Sequence, residues 1–201
     1  SSGVRFVAGH SLGEYSALAA AGAFSLTDAA RLLKARGQAM QVAVPVGEGA
    51  MAAILGLKLD AVRPVVEEAA QGEVVNVAND NSDEQVVVSG AKAAVERAAE
   101  IAKAKGAKRA IMLPVSAPFH CALMRPAADE MAKRLEAVSM AAPVVPVVAN
   151  VTAAPVSDPA EIRRLLVEQV CAMVRWRESA LAMGAAGVTS FVEVGAGKVL
   201  A

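Results

Sequence analysis

Two rhythms of apolar and polar positions alternate along this 201-residue chain. Short apolar runs of strand type fall at Val4–Ala8, Met51–Gly56, Val74–Ala78, Gln85–Ser89, Arg109–Val115, Val144–Asn150 and Ser190–Val194. Between them, apolar residues recur every three to four positions, which predicts helices over Leu12–Ala21, Ser25–Val44, Asp60–Ala70, Ala91–Lys105, Ala122–Val138, Asp158–Met173 and Glu178–Ala186. The boundaries carry their own signals. Ser25 stands three residues before Asp28 as a capping pair, Asp158-Pro159-Ala160-Glu161 is a strong helix start, and Gly106 and Gly187 act as stops. Asn79–Glu84 is rich in turn formers and reads as a connector. Residues 48–115 then follow the order β-α-β-β-α-β, the split βαβ pattern of a ferredoxin-like subdomain. The expected fold is α/β, with a parallel-sheet core over 1–47 and 116–201 that carries this insert.

Composition narrows the function. Hydrophobic residues make up 55% and aromatic residues 3%, so the interior is aliphatic and a disordered chain is excluded. Twenty basic residues balance twenty acidic ones, leaving no basic surplus to displace counterions from a polynucleotide. No uninterrupted apolar stretch has the length of about 18 residues that a membrane span needs. Two cysteines, Cys121 and Cys171, make neither a disulfide framework nor a zinc site, which fits a reducing, cytoplasmic setting. The chain opens on Ser-Ser-Gly directly before a strand and stops inside an apolar run, the marks of a fragment.

Chemistry concentrates at Gly9-His10-Ser11-Leu12-Gly13, a G-x-S-x-G sequence between a predicted strand and a predicted helix. In that context a serine sits on a tight, strained turn with its hydroxyl exposed, and the following N–H groups, that of Leu12 first, face any oxyanion formed there. The plainer reading is a glycine-rich turn with a serine cap. A serine nucleophile needs a base. The chain has two histidines, and His10 adjoins Ser11 with its ring expected to point away. His120, in the loop after the Arg109–Val115 strand, is left as the candidate base; on its own it would pass for an ordinary loop histidine. Asp129 and Asp158 are both candidates to orient it, and spacing chooses neither.

Arg36 is the other informative residue. At 100° per residue, Ala29, Leu32, Leu33, Ala39, Met40 and Ala43 form one apolar stripe with Arg36 at its centre, while Arg31, Lys34, Gln38 and Gln41 lie opposite. An arginine in a packed stripe keeps its charge and needs an anion. That anion is either an internal carboxylate or a carboxylate on a substrate, gripped by two parallel hydrogen bonds.

Several ordered blocks resemble the malonyl-CoA:acyl carrier protein transacylases of bacterial fatty acid synthesis. These are Gly9–Leu18, Arg36–Gln41, Gly49–Ile54, Pro114–Met124 with His120, Val174-Arg175-Trp176 and Glu193–Leu200. The resemblance implies an α/β-hydrolase-like core with a ferredoxin-like insert. It implies Ser11 as the acylated nucleophile, His120 as its base, Arg36 as the malonyl carboxylate site and Leu12 as an oxyanion donor. Gln169 would orient His120 through its main-chain carbonyl, and Phe119 would line the acyl site as in malonyl-selective members. The substrates implied are malonyl-CoA and the phosphopantetheine thiol of acyl carrier protein, with ping-pong transfer in a monomer and neither metal nor redox cofactor. Three departures stand out. The family's Gly-Gln-Gly-Ser-Gln loop, whose second glutamine supplies another oxyanion donor, is not in this sequence; loss of such a donor costs about 3–4 kcal/mol in the transition state. Ala196 and Met173 stand where proline is usual.

Rival readings are a serine hydrolase such as a thioesterase, which has no need of Arg36, an acyltransferase domain of a polyketide synthase, and a non-catalytic carrier-binding module. Lys108 and Arg109 could meet an acidic carrier protein or simply form a solvated surface.

Overall fold

Strand β1 (Val7–Ala8) ends at Gly9 and feeds helix α1 (Leu12–Ala20), and Ser25 caps helix α2 (Leu26–Val42) by accepting the Asp28 N–H at 3.0 Å. This is a computed structural model, and it describes residues 3–195. Next come β2 (Gly49–Leu55), α3 (Leu59–Ala70), β3 (Val75–Ser82), β4 (Gln85–Ala91), α4 (Lys92–Ala104) and β5 (Arg109–Met112). The chain continues through a 3-10 turn at Ala122–Met124 into α5 (Arg125–Glu136), then β6 (Val147–Val148), β7 (Pro155–Val156), α6 (Pro159–Gln169) and α7 (Trp176–Ala185).

The strands form two sheets in a mixed α/β architecture. In the smaller, β1 pairs in parallel with β6, which pairs antiparallel with β7. The larger is antiparallel with the order β3-β4-β2-β5. Alternation along β2 divides its side chains between two cores. Ala52 and Ile54 meet Val62, Val65, Ala98 and Ala102 of α3 and α4, while Met51 and Ala53 meet Ala78, Val87 and the edge of Phe119. A third core lies among α1, α2, α5 and α6, where Leu18, Leu32, Met131, Leu135 and Leu166 are buried. Helix α4 presents a small face, burying Ala94, Ala98, Ala99 and Ala102 beside Val95.

Several expected boundaries are corrected. β3 runs through Asn79, Asp80 and Asn81 to Ser82, where a connector was expected. Two register shifts against β4, between Val77 and Asn79 and between Asp80 and Ser82, keep these polar residues in the ladder and re-aim their side chains. Val4–Ala8 and Val144–Asn150 pair only over Val7–Ala8 and Val147–Val148. Ser190–Val194 is not a strand: among the described residues no strand lies beside it to complete a ladder, and Val192 and Val194 are exposed. The predicted α6 overshoots, since the helix stops at Gln169. Of the Glu193–Leu200 block, residues from 196 on lie outside the described residues.

Candidate active site

The elbow after β1 is tight in a measurable way. A Cβ on Gly9 would lie 2.0 Å from the Gly13 carbonyl carbon, so only glycine fits where the chain crosses itself. Ser11 has φ 53°, a left-handed conformation that costs a non-glycine residue about 1–3 kcal/mol. Asn150, just past β6, holds that geometry. Its Oδ1 accepts the Ser11 N–H at 2.7 Å, and its Nδ2 donates to the Gly9 carbonyl at 2.8 Å. Leu12 opens α1, so its N–H has no acceptor within the helix and stands beside the Ser11 hydroxyl.

His120 is 4% exposed and sits in the loop between β5 and α5. Its Nε2 is 2.7 Å from Ser11 Oγ, and its Nδ1 is 2.9 Å from the main-chain oxygen of Gln169. That carbonyl is free because Gln169 is the last residue of α6; one more turn of helix would have occupied it. With the Gln169 oxygen accepting from Nδ1–H, the proton-free Nε2 faces the serine. Burial chiefly, and then the nearby Arg36 charge, pull the imidazole down to about 3, so it is neutral around pH 7. Asp129 and Asp158 take no part: the Asp158 carboxylate caps α6 through the Glu161 N–H.

Arg36 reaches the same point from α2. It is 6% exposed, its Nη2 donates to Ser11 Oγ and to Gln169 Oε1 at 3.0 Å each, and its guanidinium lies 5.8 Å from the centre of the Tyr15 ring. Among the described residues its hydrogen-bond partners are Ser11 and Gln169, neither of them a carboxylate, and its Nε has no hydrogen-bond partner. Of the two anions considered for it, the internal ion pair is absent among the described residues. Burial lowers the guanidinium pKa, and it remains a cation near neutrality.

Four groups were not foreseen at the site: Glu14, Asn150, Asn81 and the side-chain amide of Gln169. Gln169 Nε2 donates to Glu14 Oε2 at 2.8 Å and to the Ser11 carbonyl at 3.0 Å. Asn81 Oδ1 lies 2.9 Å from His10 Nε2, and the His10 ring is 5.7 Å from Trp176, so His10 indeed points away from the nucleophile. The Val174-Arg175-Trp176 block joins the two sheets. Val174 exchanges main-chain hydrogen bonds with Ala78 and Asp80, and the Arg175 N–H donates to the Asn150 carbonyl. A signal was available for Asn150, a polar residue ending an apolar run on a strand parallel to β1, which is where α/β sites assemble. Phe119 is half-buried and packs on two of the cores beside His120.

The assembled groups are a serine bonded to a neutral imidazole, a free helix-opening N–H, and an unpaired guanidinium on the serine oxygen. Such a set can form a serine ester with an acyl group that carries its own acid. A family model described as acyl transferase domain matches residues 1–201. The chain belongs to the acyl transferase family. It is 53% identical over 194 residues to the malonyl CoA-acyl carrier protein transacylase of Escherichia coli strain K12, covering 96% of this chain and 63% of that protein. The enzyme of the same name from Bacillus subtilis strain 168 is 50% identical, covering 97% of this chain and 62% of that protein. A crystal structure of acyl-carrier-protein-S-malonyltransferase from Bartonella henselae matches with a TM-score of 0.96 and 57% identity, over 98% of this chain and 63% of that one. This acyl transferase chain thus spans about 63% of the length of the curated relatives it matches.

Proposed function

We propose that the protein moves a malonyl group from coenzyme A to the phosphopantetheine thiol of acyl carrier protein through a malonyl ester on Ser11. The observation that carries this reading is the guanidinium of Arg36, 3.0 Å from the Ser11 hydroxyl and without a carboxylate partner among the described residues. An acid held there lies about one carbon from the carbonyl under attack. That suits a short 1,3-diacid thioester; an acyl group without an acid leaves a buried cation unpaired. Similarity to the E. coli and B. subtilis transacylases supports the same reading, as does the likeness to a malonyl-transacylase structure described as a complex with a type II polyketide acyl-carrier protein, at a TM-score of 0.94.

The steps follow from the geometry. The malonyl carboxylate takes the Arg36 donors. As Ser11 Oγ attacks the thioester carbon, its proton passes to His120 Nε2, and the imidazolium is held by the Gln169 carbonyl. The Leu12 N–H receives the oxyanion. Collapse breaks the C–S bond, and the coenzyme A sulfur takes the proton from His120. In the second half, the carrier thiol gives its proton to His120 as its sulfur attacks the ester. Collapse of that intermediate returns the proton to Ser11 Oγ. No step calls on a metal or a redox group. Phe119, beside His120, would limit the space for a branched acyl group.

In fold terms, we read residues 1–47 and 116–201 as an α/β-hydrolase-like core and 48–115 as a ferredoxin-like insert. The β3-β4-β2-β5 order, with both helices on one face, supports the second assignment. A cytoplasmic monomer is the setting we propose; among the described residues, no helix is long and apolar enough to cross a membrane, and Cys121 and Cys171 are free thiols. The deciding experiment is intact-mass and peptide mass spectrometry after mixing the protein with malonyl-CoA or acetyl-CoA. The expected result is a malonyl adduct on the Ser11 peptide that acyl carrier protein discharges and that Ser11→Ala lacks. An adduct discharged by water as fast as by the carrier would instead make the protein a thioesterase.

A further inference from the structure

Glu14 takes no part in those steps, yet its side chain is 1% exposed and lies directly beneath the elbow. One of its oxygens, Oε2, accepts two hydrogen bonds, from the Asn150 main-chain N–H at 3.1 Å and from Gln169 Nε2 at 2.8 Å. The second bond matters because the Gln169 amide has two unlike ends. Its nitrogen meets three acceptors, the Glu14 carboxylate, the Ser11 carbonyl and, at 3.4 Å, Asn150 Oδ1, and its oxygen meets the Arg36 donor. Turned over, the amide would set oxygen against the carboxylate and the carbonyl, and N–H against the guanidinium. When ionised, the Glu14 carboxylate can only accept, so it opposes that turn together with the Ser11 carbonyl and the Arg36 donor.

We infer that Glu14 is a positioning residue for recognition of the acyl acid: it fixes the Gln169 amide with its oxygen toward Arg36 and so keeps the guanidinium beside Ser11. The hydrogen-bonded route passes through Gln169, since no direct ion pair joins Glu14 to Arg36, and the two charges also act on each other through space. Asn150, whose side chain clamps Gly9 and Ser11, anchors the carboxylate through its own N–H. Burial raises the Glu14 carboxyl to about 7, while the bonds from Gln169 and Asn150 and the Arg36 charge favour its ionised form. A carboxylate confined there for packing alone would leave selectivity untouched.

The inference rests on the malonyl reading, and the test separates the two. Malonyl-CoA and acetyl-CoA compete for the protein, and the ratio of serine adducts gives the ratio of kcat/KM. Glu14→Met keeps the bulk of the side chain and removes the acceptor, so the Gln169 amide is held only by the Ser11 carbonyl and Arg36. The malonyl-to-acetyl ratio is expected to fall about tenfold, the worth of one hydrogen bond to a charged group. Gln169→Met keeps the main-chain carbonyl for His120 and removes the amide. It should lower the ratio likewise, and the double variant should fall no further than Gln169→Met alone. Loss of general integrity would slow both substrates together and leave the ratio unchanged. A ratio within twofold of the parent in a folded Glu14→Met protein, or losses that add in full in the double variant, overturns the inference. If Glu14→Met does not fold, Gln169→Met decides by the same ratio. A parent protein with no malonyl preference sinks the proposed function and this inference with it; a preference that neither variant changes sinks the inference alone.

Discussion

Replacing Arg36 with alanine tests the reading of the site most directly. A carboxylate seated on a buried guanidinium gains two charge-assisted hydrogen bonds, about 1.5–3 kcal/mol each. Part of that gain is offset, because Arg36 must first give up its resting bonds to Ser11 Oγ and Gln169 Oε1, both 3.0 Å long, and the incoming acid loses its water. A net loss of about 3–4 kcal/mol of transition-state stabilisation follows, or about 10²- to 10³-fold in kcat/KM for malonyl-CoA. Acetyl-CoA makes no such bond, so the malonyl-to-acetyl ratio should fall by that factor. Lysine at the same position keeps the charge but not the planar fork, and should recover only part of the preference. The assay is competitive acylation with both thioesters, read by mass spectrometry. A ratio that shifts by less than about threefold in a folded Arg36→Ala protein would refute the argument, and the serine hydrolase reading would then gain ground.

Other consequences are simpler to state. His120→Ala should slow Ser11 acylation about 10²- to 10⁴-fold, the usual worth of a general base, while the malonyl-to-acetyl ratio holds; rapid-quench adduct formation measures both. Burial lowers the pKa of His10, and burial and the Arg36 charge pull that of His120 down to about 3, so His120 stays neutral as pH falls through 6.5. NMR of the His120 imidazole should therefore show no midpoint near 6.5 in the folded protein, and a midpoint there would contradict its burial beside Arg36. Gly9→Ala drives a methyl into the Gly13 carbonyl and should destabilise the fold by more than about 2 kcal/mol, read by denaturant unfolding. An unchanged midpoint would mean that the crossing at the elbow is looser than described.

What the sequence revealed of this site tracks how local each signal was. Helix α2 announced itself by a capping serine and a stripe of 3.6 periodicity, and Arg36 was conspicuous because it broke that stripe. His120 emerged by elimination, since a chain with two histidines offers little choice of base. The supporting network was not legible, because its bonds join Glu14 to Asn150 and Gln169, and Ser11 to Asn150, across more than a hundred residues of chain. Asn79–Asn81 misled for a related reason: asparagine and aspartate favour turns in isolation, and only the bulged pairing with β4 keeps them in a strand aimed at His10 and Arg177. The most instructive error is the end of α6. Apolar periodicity carries past Gln169 to Met173, with no glycine to mark a stop, so pattern alone extends the helix. Had it continued, the N–H of Met173 would have consumed the Gln169 carbonyl, and His120 would have lost its acceptor. The site therefore depends on a helix ending where its own periodicity does not require it. The cause is tertiary: the chain must turn there to bring Val174 onto the Ala78–Asp80 edge of β3. The contact that docks the larger sheet against the core is thus also the one that frees the carbonyl for the candidate base.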